Sequence, residues 1–318
     1  MYGTTTYGGT SDDGTIFKLT PDGTLTVLHS FDGGGGAYPA ASLALDGTGN
    51  LYGTTSQDGF GYGTVFKLAA DGTHTVLHNF GIDGYDPLGG VVLDGNGNLY
   101  GTTFTGYLST FIGASPSGGT VFKLTPDGTH TLLHSFAIDG FDPFGGVVLD
   151  GTGSLYGTTL SGGASFGVVF KLAPDGTQTV LHRFAGSEGA FPFAGPILDG
   201  SGNLYGTTLQ GGALDDTGYG TIFKLAPDGT HTILHAFAGS DGAGPVGSLV
   251  FDNAGNLYGT TEGGGASFAG TVFKLAPDGT HTVLHSFAWS DGADPSAGIA
   301  LDSAGNLYGT TLRGGGSD

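Results

Sequence analysis

The tripeptide Phe-Lys-Leu recurs six times in 318 residues, with its lysine at Lys18, Lys67, Lys123, Lys171, Lys224 and Lys274. Consecutive copies stand 49, 56, 48, 53 and 50 residues apart. Each copy belongs to a unit with the same layout, so the fold must be built by stacking similar units. A unit of this size buries its apolar face only against its neighbours.

Inside a unit, four short segments alternate with turns. The first (A) is apolar, as in "GGVVLD" at 89–94 and 145–150 or "AGIALD" at 297–302. A turn such as "DSAGN" leads to the second (B), "LYGTT". A glycine-rich loop of variable length leads to the third (C), "GTVFKL". The turn "APDGT" leads to the fourth (D), "HTVLHSF". Such segments, rich in Val, Ile, Thr, Tyr and Phe and bounded by Gly, Asp and Pro, carry the strand signature. No stretch keeps a helical period. In the turns Pro presets φ, Asp bonds its own backbone and Gly accepts positive φ. Four strands and two tight hairpins per unit of about fifty residues predict an all-β chain. The expected architecture is a β-propeller with six four-stranded blades in one domain spanning 1–318; a right-handed β-solenoid, with shorter coils and fewer hairpins, ranks second.

The chain holds six A, seven B, six C and six D segments, beginning on a B ("MYGTT", 1–5) and ending just after one ("LYGTT", 307–311). Ring closure is expected by pairing the N- and C-terminal strands. Segments A and B at 297–311 would complete the blade begun by C and D at 14–31, removing exposed edges and leaving one B surplus. Because it opens within a unit, the chain reads as a segment of a longer array.

The layout "GIALDSAGNLYGTT…GTVFKLAPDG" resembles the broad class of NHL and SMP-30-type propellers. More specifically, "NLYGTT", "GTVFKLAPDGT" and "TVLHSF" resemble the GloVer tandem repeat of bacterial choice-of-anchor surface proteins, and the likeness covers nearly the whole chain. That resemblance implies an extracellular or cell-surface protein with no assigned catalytic activity. The SMP-30 likeness alone allows an alternative: a metal-dependent propeller hydrolase, lactonase or lyase with its site at the channel mouth.

Glycine makes up 67 residues, yet the hydrophobic fraction of 38% supplies ample apolar surface for a core. Net charge is −20, with 28 acidic residues against eight basic ones. Such a surface repels phosphate backbones and anionic membranes, so nucleic acid and direct membrane insertion are excluded as expected partners. With no cysteine, neither a disulfide nor a thiolate metal site can form. A monomer is expected.

All ten histidines sit inside the repeat: His29, His78, His134, His182, His235 and His285 in "LHSF"-type segments, and His74, His130, His231 and His281 in "THT". A catalytic base acts once, among unique partners. A residue stamped into every blade is expected to pack between blades or bond a neighbouring backbone, and a metal ring of six histidines is disfavoured because outer strands would hold them apart. Each lysine is expected to snorkel and pair with the Asp of the following turn. The "D-x-x-G-N" turns (46–50, 94–98, 199–203, 252–256, 302–306) invite calcium. Asp94, Asn96 and Asn98 mimic half of a calcium loop, but position twelve is Thr105 rather than a bidentate Glu. An Asp-led turn explains them fully, so no metal, cofactor or catalytic residue is expected.

What varies is the loops. A–B and C–D turns are nearly constant, whereas B–C and D–A loops differ between units and fall on the opposite face. D–A loops are acidic and aromatic, with Asp83, Asp86, Asp139, Asp142, Glu188, Asp241, Asp291 and Asp294 beside Tyr85, Phe141, Phe191 and Trp289. B–C loops add Tyr107, Phe111 and Tyr219. Carboxylates with flat aromatic faces suit carbohydrate. The expected function is therefore a non-catalytic extracellular scaffold whose variable acidic-aromatic face binds a surface glycan or a protein. Against it stands the reading that the acids give solubility and the aromatics cover blade junctions.

Overall fold

The structure, a computed structural model, describes residues 1–58, 61–106, 118–137, 139–162, 166–212 and 218–315. Every regular element among them is a β-strand. The first sheet holds β1 (Tyr2–Thr5), β2 (Thr15–Leu19) and β3 (Leu25–Ser30). The second holds β4 (Ala44–Leu45), β5 (Leu51–Thr55), β6 (Thr64–Leu68) and β7 (His74–Asn79). The third runs β8 (Val92–Leu93), β9 (Leu99–Thr105), β10 (Gly118–Leu124) and β11 (His130–Ser135). In the fourth are β12 (Val148–Leu149), β13 (Leu155–Thr159), β14 (Val168–Leu172) and β15 (Gln178–Arg183). The fifth has β16 (Ile197–Leu198), β17 (Leu204–Thr208), β18 (Thr221–Leu225) and β19 (His231–Ala236). The sixth has β20 (Val250–Phe251), β21 (Leu257–Thr261), β22 (Thr271–Leu275) and β23 (His281–Ser286). A last pair, β24 (Ala300–Leu301) with β25 (Leu307–Tyr308), follows.

Each sheet is a meander of neighbouring antiparallel strands, and the fold is a six-bladed β-propeller. Five blades have all four strands; the first has three. The chain divides into two compact units, residues 1–157 with 171–179 and residues 158–170 with 180–318.

Closure differs from expectation. β1 pairs with β2 across the whole of Tyr2–Thr5, and β25 pairs with β24. The N-terminal B segment thus takes the position reserved for the C-terminal one. The physical reason is local: β1 and β2 are joined by a nine-residue hairpin loop (6–14), and closing a short loop costs less entropy than recruiting a strand from the other end of the chain.

The inner strands are set by side-chain fit. In β5, Leu51, Gly53, Thr54 and Thr55 are buried while Tyr52 is half-buried, and the same pattern recurs in β9, β13, β17 and β21. Glycine weakens a strand, but Gly53 lies opposite Phe66, and a Cβ there would meet the ring at 2.7 Å. The phenylalanine needs that seat. Beside it the hydroxyls of Thr55 and Thr64 meet at 2.8 Å in a fully buried cross-strand pair.

Blades are joined by a second set of repeated contacts. At four junctions the phenylalanine after a D strand packs on the C-strand phenylalanine of the next blade: Phe31 with Phe66, Phe80 with Phe122, Phe184 with Phe223, and Phe237 with Phe273, ring centres 5.1–5.3 Å apart. The first B-strand threonine donates to a carbonyl of the next blade, as from Thr54 to Gly89 and from Thr260 to Ala297, both at 3.0 Å.

Candidate functional site

The histidines meet in pairs. A D-strand histidine near the end of one blade stacks on the histidine that opens the D strand of the next: His29 on His74, His78 on His130, His182 on His231 and His235 on His281. Ring centres lie 3.9–4.2 Å apart and planes within 6° of parallel. A D–A loop carboxylate spans three of these pairs. Asp83 lies 2.8 Å from Nε2 of His78 and 3.3 Å from Nδ1 of His130. Glu188 spans His182 and His231, and Asp241 spans His235 and His281, at 3.0 and 3.9 Å in each case. Between the third and fourth blades the second histidine is replaced by Gln178, leaving His134 with Asp139 at 3.8 Å.

Packing between blades, expected of these histidines, is what the rings do. What the sequence did not suggest is that an "LHSF" histidine meets a "THT" histidine of the next blade, close enough to stack imidazoles. Sequence reasoning missed the pairing because the two partners lie about one repeat apart. The available signal was that "THT" and "LHSF" histidines alternate with an acid between them.

Electrostatics follow burial. The second histidine of each pair lies against phenylalanine, as His74 does beside Phe31 and Phe66. Its Nε2 is buried without a hydrogen-bond partner in His74, His130, His231 and His281. A proton there would place charge against aromatic walls. Burial, reinforced by the stacked imidazole, accordingly pushes His74, His231 and His281 down to about 4. Burial works most strongly to raise Asp83, but the His78 hydrogen bond and charge, together with the backbone N–H groups of Gly81 and Asp83, jointly outweigh it and hold the carboxyl below its usual range.

His78–Asp83–His130, His182–Glu188–His231 and His235–Asp241–His281 each bring three metal-ligating atoms within 4.8 Å of one another. Two imidazoles bind one cation when their in-plane lone pairs converge on it at about 2.0–2.1 Å. Here the planes are parallel and the lone pairs run side by side, so convergence would require a ring to leave its slot between the phenylalanines. The geometry as built serves hydrogen bonding and stacking.

The lysines and the turn aspartates have recurring contacts of their own. Every lysine ammonium sits over the tyrosine opposite it on the B strand, from Lys18 over Tyr2 to Lys274 over Tyr258, at 5.4–5.9 Å. Among the described residues none makes an ion pair with a turn aspartate, because the cross-strand register puts the ring directly beneath the stem. The "D-x-x-G-N" carboxylates are engaged by their own turns. Asp46 accepts from the backbone N–H of Thr48 and Asn50 and from Asn50 Nδ2 and the Tyr52 hydroxyl, at 2.8–3.1 Å. Asp94, Asp199, Asp252 and Asp302 repeat this. An open cleft of about 500 Å³ beside Leu45, Tyr52 and Leu93 is lined by Asp46 and Asp94, so its carboxylates are already engaged.

The loop residues divide into two groups. Asp83, Asp139, Glu188, Asp241 and Asp291 face the histidines. Asp86, Asp142, Phe191 and Asp294 share one strained role with Tyr38 and Gly244. Each precedes a proline with φ between 54° and 63°, the left-handed region costly to residues with a Cβ. The strain is held by backbone bonds to both flanking blades. Asp86 donates to the carbonyl of Tyr62 and accepts from the N–H of Phe104, and Phe191 does the same between Phe166 and Leu209. Tyr85 and Phe191 are half-buried and lie 6.1 and 6.2 Å from the rings of Tyr62 and Phe166, so these two aromatics cover junctions. Phe141 is also half-buried. Tyr219 and Trp289 are 52% and 48% exposed. Tyr107 and Phe111 lie outside the described residues.

Repeated blades, inter-blade histidine clasps and a constant turn chemistry define a tandem-repeat β-propeller. Within that class the chain belongs to the Gloeobacter/Verrucomicrobia repeat family, whose profile matches residues 1–137 and 105–318. No curated protein matches the chain. Among solved structures it is similar to a candidate 6-phosphogluconolactonase from Bacteroides uniformis ATCC 8492, with 18% identity over 98% of this chain and 88% of that one and a TM-score of 0.64. It also resembles puromycin hydrolase (16% identity, 98% of this chain, 51% of that one, TM-score 0.60). A functionally unknown protein from Desulfotomaculum acetoxidans DSM 771 matches at 16% identity over 99% and 97% of the two chains, with a TM-score of 0.57. At these identities the likeness is one of fold.

Proposed function

We propose that the chain is a non-catalytic scaffold, working at the cell surface or outside the cell, whose loop face binds a glycan or a protein. One observation carries this reading. The repeated chemistry-bearing residues (histidines, lysines and turn aspartates) have recurring intra- or inter-blade contacts, whereas exposed aromatics stand on loops that differ between units. Trp289 is the sole tryptophan, half exposed in a D–A loop, and Tyr219 is exposed in a B–C loop. Flat, half-exposed rings beside carboxylates suit sugar C–H faces and hydroxyls.

The test is a thermal-shift screen against soluble polysaccharides, since a ligand well above its dissociation constant raises the melting temperature by mass action. A shift abolished by Trp289→Ala or Tyr219→Ala, with melting of the free protein unchanged, supports the reading. Hydrolysis of a lactone or amide dependent on a divalent cation would instead favour the activity class named for the gluconolactonase and hydrolase of similar fold.

A further inference from the structure

One carboxylate on the loop face is strained and lacks a partner. Asp86 holds φ at 54° ahead of Pro87, a backbone region costly to a residue with a Cβ. It is half-buried, and among the described residues its carboxyl group accepts no hydrogen bond and forms no ion pair. Burial alone acts on its titration and pushes the pKa up. Its counterparts are placed differently: Asp294 lies 3.4 Å from Arg313, and Gly244 takes the same turn in the fifth blade without a side chain. An acid that strains its backbone and loses hydration costs stability that glycine would restore, and such outliers gather at binding sites.

Two tyrosines adjoin it. Tyr62 is 42% exposed, and its ring centre lies 6.1 Å from that of half-buried Tyr85 with the planes at 63°, so Tyr85 braces a ring that stays open to solvent. Backbone bonds fix all three residues. The Tyr62 N–H donates to the Asp58 carboxylate at 3.0 Å, and its carbonyl accepts from the N–H of Asp86 at 3.2 Å. Tyr85 donates to the Thr105 carbonyl at 3.0 Å and accepts from its N–H at 3.2 Å. A Cβ on Gly63 would meet Pro87 at 2.6 Å, so the loops carrying Tyr62 and Asp86 touch. The fifth and sixth blades each hold half of this group: Tyr219 faces Gly244 across the same backbone bond, and Asp294 faces Ala269. We propose that Tyr62, Tyr85 and Asp86 form a sugar subsite for an uncharged pyranose, which rests on reading the loop face as a binding surface. The open Tyr62 ring stacks on the C–H face, and the Asp86 carboxylate accepts from adjacent hydroxyls that replace its lost water. A carboxylate in a chain of net charge −20 repels uronates and sulfated sugars. Rings and acid are in place before the ligand arrives, so little ordering is needed on binding.

The full chain is titrated by calorimetry with hexaoses of glucose, mannose, galactose and xylose, and with a hexagalacturonate. One or more neutral hexaoses are expected to bind, and the hexagalacturonate about tenfold more weakly or worse. Tyr62→Ala and Asp86→Gly are each expected to weaken binding about tenfold, through loss of one stacked ring or one charged hydrogen bond. Asp86→Gly should do so while raising the melting temperature, which separates lost contact from lost folding. Hexaose binding indifferent to both substitutions but lost in Trp289→Ala or Tyr219→Ala would overturn this subsite and leave the broader reading of the loop face standing. Failure of every neutral hexaose to bind would overturn it too, leaving a protein as the ligand of that face. Equal affinity for the hexagalacturonate would refute the role given to Asp86.

Discussion

Acid should loosen this protein well above the range in which its carboxylates titrate. His74, His231 and His281 are held at about 4 in the fold, against an ordinary value of 6.5. The unfolded chain therefore binds more protons than the native one between those limits. Stability is fully present above pH 6.5, declines as pH falls toward 4, and is level below. At pH 5 the linkage amounts to about 2 kcal/mol for each histidine. The side chains of His231 and His281 retain 10% and 9% exposure and face Glu188 and Asp241, and His74 faces Asp32, so about half that figure is reasonable. Three sites then give about 3 kcal/mol, or a fall of about 5 °C in melting temperature for a chain of this length. Melting curves at pH 7.5, 6, 5.5 and 5 measure it, above the range where the turn aspartates contribute. The sequence contains its own control, because Gln178 already stands at the clasp position. His231→Gln combined with His281→Gln should fold and reduce the pH 7-to-5 difference by about 2 kcal/mol. Equal melting at pH 7 and 5, or an unchanged slope in the glutamine variant, would refute the reasoning.

Other outcomes follow from the packing. Gly206→Ala places a Cβ 2.7 Å from the ring of fully buried Phe223 and should cost about 1–3 kcal/mol, read as a lower denaturation midpoint. Asp86→Gly removes a left-handed residue with a Cβ and should stabilise by about 1 kcal/mol, as Gly244 does naturally at its junction. Burial raises the Asp86 pKa, so its ionised form opposes folding, and the gain should be larger at pH 7 than at pH 4. Lys224→Met should cost less than about 1 kcal/mol, since the ammonium over Tyr205 is a single cation–π contact, and its effect should be insensitive to replacing Asp228.

Local chemistry was legible in the residue order. "PDGT" and "DSAGN" and the residues just beside them supply the donors and acceptors their turns use, so Asp46 or Asp302 could be assigned to its turn from neighbours two to six residues away. The strands were readable for the same reason: alternation and β-branched residues act within one segment. Tertiary structure decided which residues of different blades face each other. Only stacked blades bring His235 onto His281, carry Asp241 between them and turn acids assigned to a binding face into parts of a clasp. The lysines went over tyrosines because register, which couples two strands, outweighed a flexible pairing along one. β1 rather than β25 completed the first sheet because a short hairpin closes at less entropic cost than a ring. Sequence alone thus determined the repeat, its strands and its turns, whose interactions span a few residues; contacts reaching a full unit away depend on how twisted sheets stack, and that is a property of the assembled fold.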